Sequence, residues 1–480
     1  MTHTDEPRME YVRPSRWRKW WWWIAGGIGM GAFLTSLYFL SGWGSVAKQI
    51  AAIRARGEPI TMDELAAYYP YPPAGQDATA IWMRGAKTLP GGGPVAKQLP
   101  FLGEVDRPPR VGQTWAELDL ARQFLLDNGQ AMQDLHDAAA LGGQARYPIY
   151  FNGAATLLPH ADWLRTLARC LALEANVRAH DGDLRGAAES IHAGVLLAES
   201  MANEPICVSQ LVRMAVLGIM LEELKRLGPI NLPAEELAKL QATLMKVDFA
   251  TAMTRSIIGD RAMGAASIDG IGAMGLAVPL LPLRILTQGA DKATYLAIMA
   301  DFVAASELPW KDAILEMDNV QPDLRQLSGP FTYFTKQLAP GMQMIAIAFA
   351  RGETLKRLAI LDIAIARYQQ KHGRPPALLA DLAPEFLTPE SLATISIDPT
   401  TDSPLGYKVT EAGHVVYSPS KKFPIGSNES LDAETGANPQ LVFRWPPLPD
   451  PPTEPPNDLP TEHSDGEQDE SATSVNEAEQ

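Results

Sequence analysis

Cysteine is nearly absent from this chain, with Cys170 and Cys207 the only two among 480 residues. Two thiols cannot build a disulfide framework, and their spacing fits no zinc motif. In an oxidising compartment they have the option of pairing; the alternative is two small apolar side chains buried on helices. A basic surplus is also lacking. The formal net charge is −15, which argues against nucleic acid, because a phosphate backbone calls for a concentrated positive face. That acidity is uneven. Residues 446–480 hold ten Asp or Glu and no Lys or Arg, which leaves only −5 for everything before them.

The familiar catalytic signatures are missing too: there is no HExxH, no Walker loop and no GxSxG. Several weaker patterns remain. Glu189 and His192 stand at i and i+3, as in di-iron carboxylate bundles, but such a site needs a second pair. The other Glu-x-x-His, Glu411 to His414, falls in an expected turn, so Glu189 and His192 read as a solvated helix face. His160, Asp162 and His180 lie near Cys170 in sequence and suggest nucleophilic or metal chemistry only if the fold gathers them. Gly270-Ile271-Gly272-Ala273-Met274-Gly275 fits GxGxxG, yet a helical pattern precedes it and two prolines follow. Dinucleotide binding needs a βαβ unit there, so the stretch reads as a flexible apolar loop. Arg255, Asp260 and Arg261 sit amid apolar helix and imply a buried ion network, the alternative being a ligand-binding arginine pair. No catalytic, cofactor-binding or metal-ligating residue is assigned on these patterns, and no cofactor is expected.

What is present begins with an apolar run. Trp20 to Trp43 contains 24 residues without a charge. As a helix it would be about 36 Å long, enough for a hydrocarbon core of about 30 Å. Trp20 to Trp23 crowd one end and Trp43 marks the other, as indole rings prefer the headgroup zone. Arg8, Arg13, Arg16, Arg18 and Lys19 precede the run, whereas Lys48, Arg54 and Arg56 follow it. The positive-inside rule therefore keeps the amino terminus in the cytoplasm and places the body on the other side, at the inner (cytoplasmic) membrane. A cleaved signal peptide ending at Ser45-Val46-Ala47 is the rival, but its apolar core would be much too long. Gly27 and Gly31 form a small-xxx-small pair that reads as a glycine-rich span without a partner helix. A second apolar stretch, Gly270 to Leu286, is broken by Pro279 and Pro282 and carries Arg284. It reads as a buried or membrane-grazing loop rather than a second span.

The pattern divides the chain into a cytoplasmic start (1–19), a transmembrane helix (20–43), juxtamembrane helices and linker (44–113), a helical body (114–354), a small α+β module (355–445) and a disordered Pro-rich, acidic tail (446–480). The fold class is mainly α. Ser45–Arg56 should continue the first helix, and Thr61-Met62-Asp63-Glu64 has capping-box spacing, as has Thr114-Trp115-Ala116-Glu117. Leu164–Ala179 and Leu184–Met201, around Asp181-Gly182-Asp183, make a tetratricopeptide-like hairpin whose period is not repeated. Further helices are expected near 206–227, 233–246, 249–265, 290–304 and 344–371. After Gly373, Pro375 and Pro376 end the helix, and a short helical stretch covers Ala377–Leu387. Strands are expected at Ala393–Ile397, Leu405–Thr410, His414–Tyr417 and Gln440–Trp445. The tail has almost no large apolar side chain with which to order itself.

One stretch carries a family pattern. Tyr368, His372-Gly373-Arg374-Pro375, Leu379 to Leu382, Asp398-Pro399, Pro404-Leu405-Gly406-Tyr407 and Tyr417-Ser418 follow in order. In this the span Leu355 to Ser418 resembles the periplasmic head of the major pseudopilins of type II secretion (protein G type). The resemblance implies a long helix on a small antiparallel sheet, and an accessory part in a type II secretion or pilus-like system. The calcium loop of that family is replaced here by Pro419-Ser420-Lys421-Lys422-Phe423, whose lysines repel a cation. Asn428, Glu429 and Asp432 offer oxygens without the family's spacing. The anchor lacks the family's Gly-Phe-Thr-Leu-x-Glu processing signal, so the chain is a larger protein with such a module. The expectation is a non-enzymatic, membrane-anchored envelope protein acting as an interaction scaffold for unidentified protein partners. The alternative is an unrecognised extracytoplasmic hydrolase with its site in the helical body, which a pocket of titratable groups would favour.

Overall fold

The computed structural model describes residues 16–89, 93–103, 105, 107–270, 281–326, 332–339, 341–411, 413–420, 435 and 441–446. Up to Pro447 the chain is one compact unit; residues 448–480 form the other and lie outside the described residues, so that of the expected disordered tail (446–480) only Pro446 is described. The architecture is mainly helical with one three-stranded sheet.

Helix α1 runs unbroken from Arg16 to Ala55. Its second half packs on α11 (Leu281–Ser306) in parallel order. A Cβ at Gly42 would sit 2.9 Å from the backbone nitrogen of Ala290, Gln49 donates to the Ala293 carbonyl at 3.1 Å, and Arg56 pairs with Glu307 at 2.6 Å. In the first half, a Cβ added at Gly26, Gly27 or Gly29 would meet nothing within 4 Å. Among the described residues no helix is long and apolar enough to cross a membrane. The side chains of residues 32–41, the apolar middle of the expected span, lie outside the described residues.

Thr61 builds the expected capping box of α2 (Met62–Tyr68). Its hydroxyl accepts the Glu64 N–H at 3.2 Å, and the Glu64 carboxylate accepts the N–H groups of Ile60 and Thr61 at 2.8 and 3.0 Å. Those bonds, the Ile60 one foremost, hold the Glu64 carboxyl below its usual range. The second expected box does not form: α4 (Leu118–Asp127) begins at Leu118, without a side-chain cap. Burial of Trp115, whose ring lies 5.2 Å from that of His180, fixes the chain there instead.

Helix α3 (Thr79–Thr88) buries Trp82, and α5 (Gly129–Ala140) follows α4. The expected hairpin is α6 (Pro159–His180) and α7 (Leu184–Glu199), turned at Gly182, with Asp183 accepting the Gly186 N–H at 2.9 Å. Then come α8 (Cys207–Leu227), α9 (Ala234–Leu244) and α10 (Phe249–Asp269). Helix α11 starts earlier than expected: Leu281–Leu286 is helix, not loop, and Pro282 is tolerated because it falls in the first turn, where its missing N–H has no partner to lose. Residues 271–280, with most of the GxGxxG stretch, lie outside the described residues. Helices α12 (Trp310–Gln326) and α13 (Tyr333–Leu338) lead into α14 (Met342–His372).

Helix α14 is the spine. Every residue from Leu358 to Ala366 is buried, so it is enclosed all round. Helices α8, α9, α10 and α12 flank it, and the sheet covers its carboxy-terminal half. It ends where Gly373 adopts a left-handed φ of 74°, which a side chain would disfavour. Only Leu379–Leu382 of the next expected helix forms, as a 3-10 turn. Ala393–Ile397, expected as a strand, belongs largely to α15 (Pro389–Ile395), because Thr388 and Pro389 supply a cap and a first-turn proline. The remaining strands are β1 (Gly406–Val409), β2 (His414–Tyr417) and β3 (Val442–Trp445), antiparallel in the order β1-β2-β3, with Val416 opposite Tyr407 and Phe443.

Candidate functional site

The face of α7 that is left half-buried carries His192, Leu196 and Glu199, one stripe at four- and three-residue intervals. It forms the floor of a polar cleft of about 470 Å³. One wall is the turn after α5. Gly143 (φ 73°) brings it so close that a Cβ would sit 2.8 Å from the Leu196 carbonyl oxygen, and Trp82 pins it by donating to the Gly143 carbonyl at 3.0 Å. The other wall is the end of α9, with Thr243 and Lys246. Gln76, Gln144 and Asn203 close the rim.

Two contacts set the cleft's chemistry. The His192 Nε2 lies 2.8 Å from the Thr243 hydroxyl, and burial lowers the imidazole pKa, which favours the neutral ring. Both oxygens of Glu199 accept from one edge of the buried Arg213 guanidinium, from Nε at 3.0 Å and Nη2 at 2.8 Å, and that guanidinium lies over the Phe249 ring at 4.8 Å. A bidentate, aromatic-backed pair of this kind holds its carboxylate in place.

The other residues singled out from sequence are not brought together here. Glu189 faces Arg178, 3.9 Å away, whereas His192 meets Thr243. His160 is buried against Glu204 at 2.9 Å and stacks on Tyr147 at 4.8 Å; His180 bonds the Pro109 carbonyl at 3.0 Å; Asp162 faces Arg165 at 3.6 Å. Cys170 and Cys207 are both buried and unpaired, and burial pushes the Cys170 thiol up to about 12. Of the charged trio on α10, Arg261 makes a buried pair with Glu58 at 2.7 Å and Arg255 donates to Asn203 at 2.5 Å. Asp260 joins neither; its Oδ1 accepts the Cys207 N–H at 3.3 Å. His414 is buried against Asp362 of α14 at 2.8 Å, while Glu411 stays in the turn. Asn428, Glu429 and Asp432 lie outside the described residues. Among the described residues no group of three His, Cys, Asp or Glu is placed to hold a metal ion.

Sequence reasoning missed Thr243 and Asp260's separate position. Thr243 lies one helix beyond His192, and no local spacing signals their meeting. Compared with protein-family models, with curated proteins and with solved structures, the chain matches none.

Proposed function

We propose that the protein is a single-pass membrane anchor carrying a helical scaffold, with residues 20–43 in the bilayer and the body on the extracytoplasmic side. One observation carries the reading. Trp20, Trp21, Trp22 and Trp23 are 70%, 63%, 76% and 80% exposed, and Ile28 and Met30 are 67% and 59% exposed. A helix that is apolar and exposed on every side suits lipid, not water. Gly42 and Trp43 meet α11, and in this reading that contact marks the level at which the body begins. The orientation rests on the basic residues before Trp20. Alkaline phosphatase fused after residue 60 should be active and green fluorescent protein fused there dark; the reverse pair of results overturns the orientation. The body's work, in this reading, is to bind proteins. The motif order from Tyr368 to Ser418 supports a finer version, in which the module acts beside a type II secretion or pilus-like assembly. In-cell crosslinking with identification of partners tests that version.

A second reading, hydrolysis, is supported by the pair of His192 and Thr243 in the cleft. In the tautomer with the proton on Nδ1, Nε2 accepts the hydroxyl proton, the arrangement of a base with its nucleophile. Labelling of the chain by a fluorophosphonate, lost in Thr243→Ala, would favour it; equal labelling of both would remove it.

A further inference from the structure

A second cavity, of about 400 Å³, lies apart from the polar cleft. Cavities of some 300–1,000 Å³ are the size that small ligands use. Its lining is apolar: Leu158, Ile206, Met263 and Leu338 among others, with Leu157 and Val208 at the mouth, 78% and 57% exposed. One charged group faces in. Asp260 is half-buried and lines this cavity; the Cys207 thiol reaches its carboxylate, but among the described residues no cation pairs with it. Its Oδ1 accepts the Cys207 N–H, which begins α8. Tyr295 donates to the Asp260 backbone carbonyl at 3.0 Å, so the phenol closes the floor without neutralising the carboxylate. Arg261, the next residue, is spent on Glu58.

A carboxylate in apolar surroundings with no counter-ion is costly, and a neutral amide could accept the same N–H. Capping α8 therefore does not account for the charge. A ligand that supplies a cation does. We propose that this cavity binds a ligand with a primary ammonium group and a short apolar chain, the ammonium paired with Asp260 and the chain lying against Ile206, Met263 and Leu338. The pairing is charge-assisted in a low-dielectric site, where such bonds are strongest. Binding is non-covalent and needs no co-reactant.

Two sources carry this chemistry, a free amine and an ethanolamine lipid headgroup. The second rests on the anchored reading above: Tyr295 lies six residues beyond Gly289, which touches Trp43, and so about 9 Å along α11 from the end of the span. The free-amine arm does not depend on it.

The test is titration calorimetry of the full chain in nanodiscs of phosphatidylcholine. Hexylammonium should bind, and hexanol, with the same chain and no charge, should bind at least tenfold more weakly. Asp260→Asn should lose at least tenfold in hexylammonium affinity while melting no lower than the parent at pH 7.5. Val208→Trp, which plugs the mouth from an exposed position, should lose it as well. Replacing part of the phosphatidylcholine by phosphatidylethanolamine should weaken apparent hexylammonium binding if the headgroup is the natural occupant; no change assigns the site to a free amine. Equal binding of hexanol and hexylammonium, or full binding by Asp260→Asn, overturns the proposal. Failure of the topology fusions would leave these free-amine results standing.

Discussion

Asp260 shows how one side chain can work against the fold that holds it. Burial pushes its carboxyl from 3.8 up to about 6. The sign of the consequence follows from which state loses its proton first. Below about pH 4 both states are protonated, and the neutral group costs little. Between about 4 and 6 the unfolded chain ionises while the folded one does not, so stability falls as pH rises. Above 6 the folded state carries the unpaired charge in full, a loss of at most about 3 kcal/mol over that window. Asp260→Asn should therefore raise the melting temperature at pH 7.5 and lose that advantage as the pH drops towards 4. A variant that melts lower at pH 7.5 would mean that the charge itself holds α8. The sequence marked Asp260 as unusual, a charge amid apolar helix, but grouped it with Arg255 and Arg261. Those two turn to Asn203 and Glu58, on other elements, and a single helix's spacing cannot reveal that.

At the scale of elements, the legible features were those set by a few neighbouring residues. The box at Thr61, the turn at Gly182 and the stop at Gly373 all rest on local backbone geometry. Features decided by packing were not legible. Burial of Trp115 overrode the spacing at Thr114, and α12 carries a proline and a polar face that hide its pattern. Strand β2 was foreseen; that its first residue, His414, would reach Asp362 on α14 was not. Leu358, Leu361, Ile365 and Tyr368 recur at three- and four-residue intervals, which by period alone makes them the apolar face of α14. Leu358, Leu361 and Ile365 are buried, but so are the residues between them, because the helices of the body take the opposite side. Leu361→Asp should consequently unfold or aggregate the whole protein and not only the sheet region, since it buries an unpaired charge at the centre. Met344→Ser, at a position 55% exposed on the same helix, should shift stability by less than about 0.5 kcal/mol. Chemical denaturation followed by far-ultraviolet dichroism compares the two. Loss of the sheet alone on Leu361→Asp would make residues 355–445 an independent module.

For the molecule as a whole, the compact unit ends at Pro447. The ten acidic residues of 446–480 come with no Lys or Arg, a composition that favours solvation over packing. A chain cut after Pro447 should keep its dichroism and melting temperature; a clear loss of either would mean that the tail docks on the body. The mainly helical class and the small sheet near the end were readable from periodicity, because burial on one face of a helix or strand leaves its period in the sequence. The two hollows were not, for each draws on at least three elements distant in sequence. The proposed anchoring rests on the exposed apolar residues from Trp20 to Met30, and extraction at alkaline pH tests it most directly. Membranes from cells making the full chain, washed with carbonate at high pH, should retain the protein in the pellet, while a chain lacking residues 1–43 should pass to the supernatant. Release of the full chain by the same wash would contradict the anchored account.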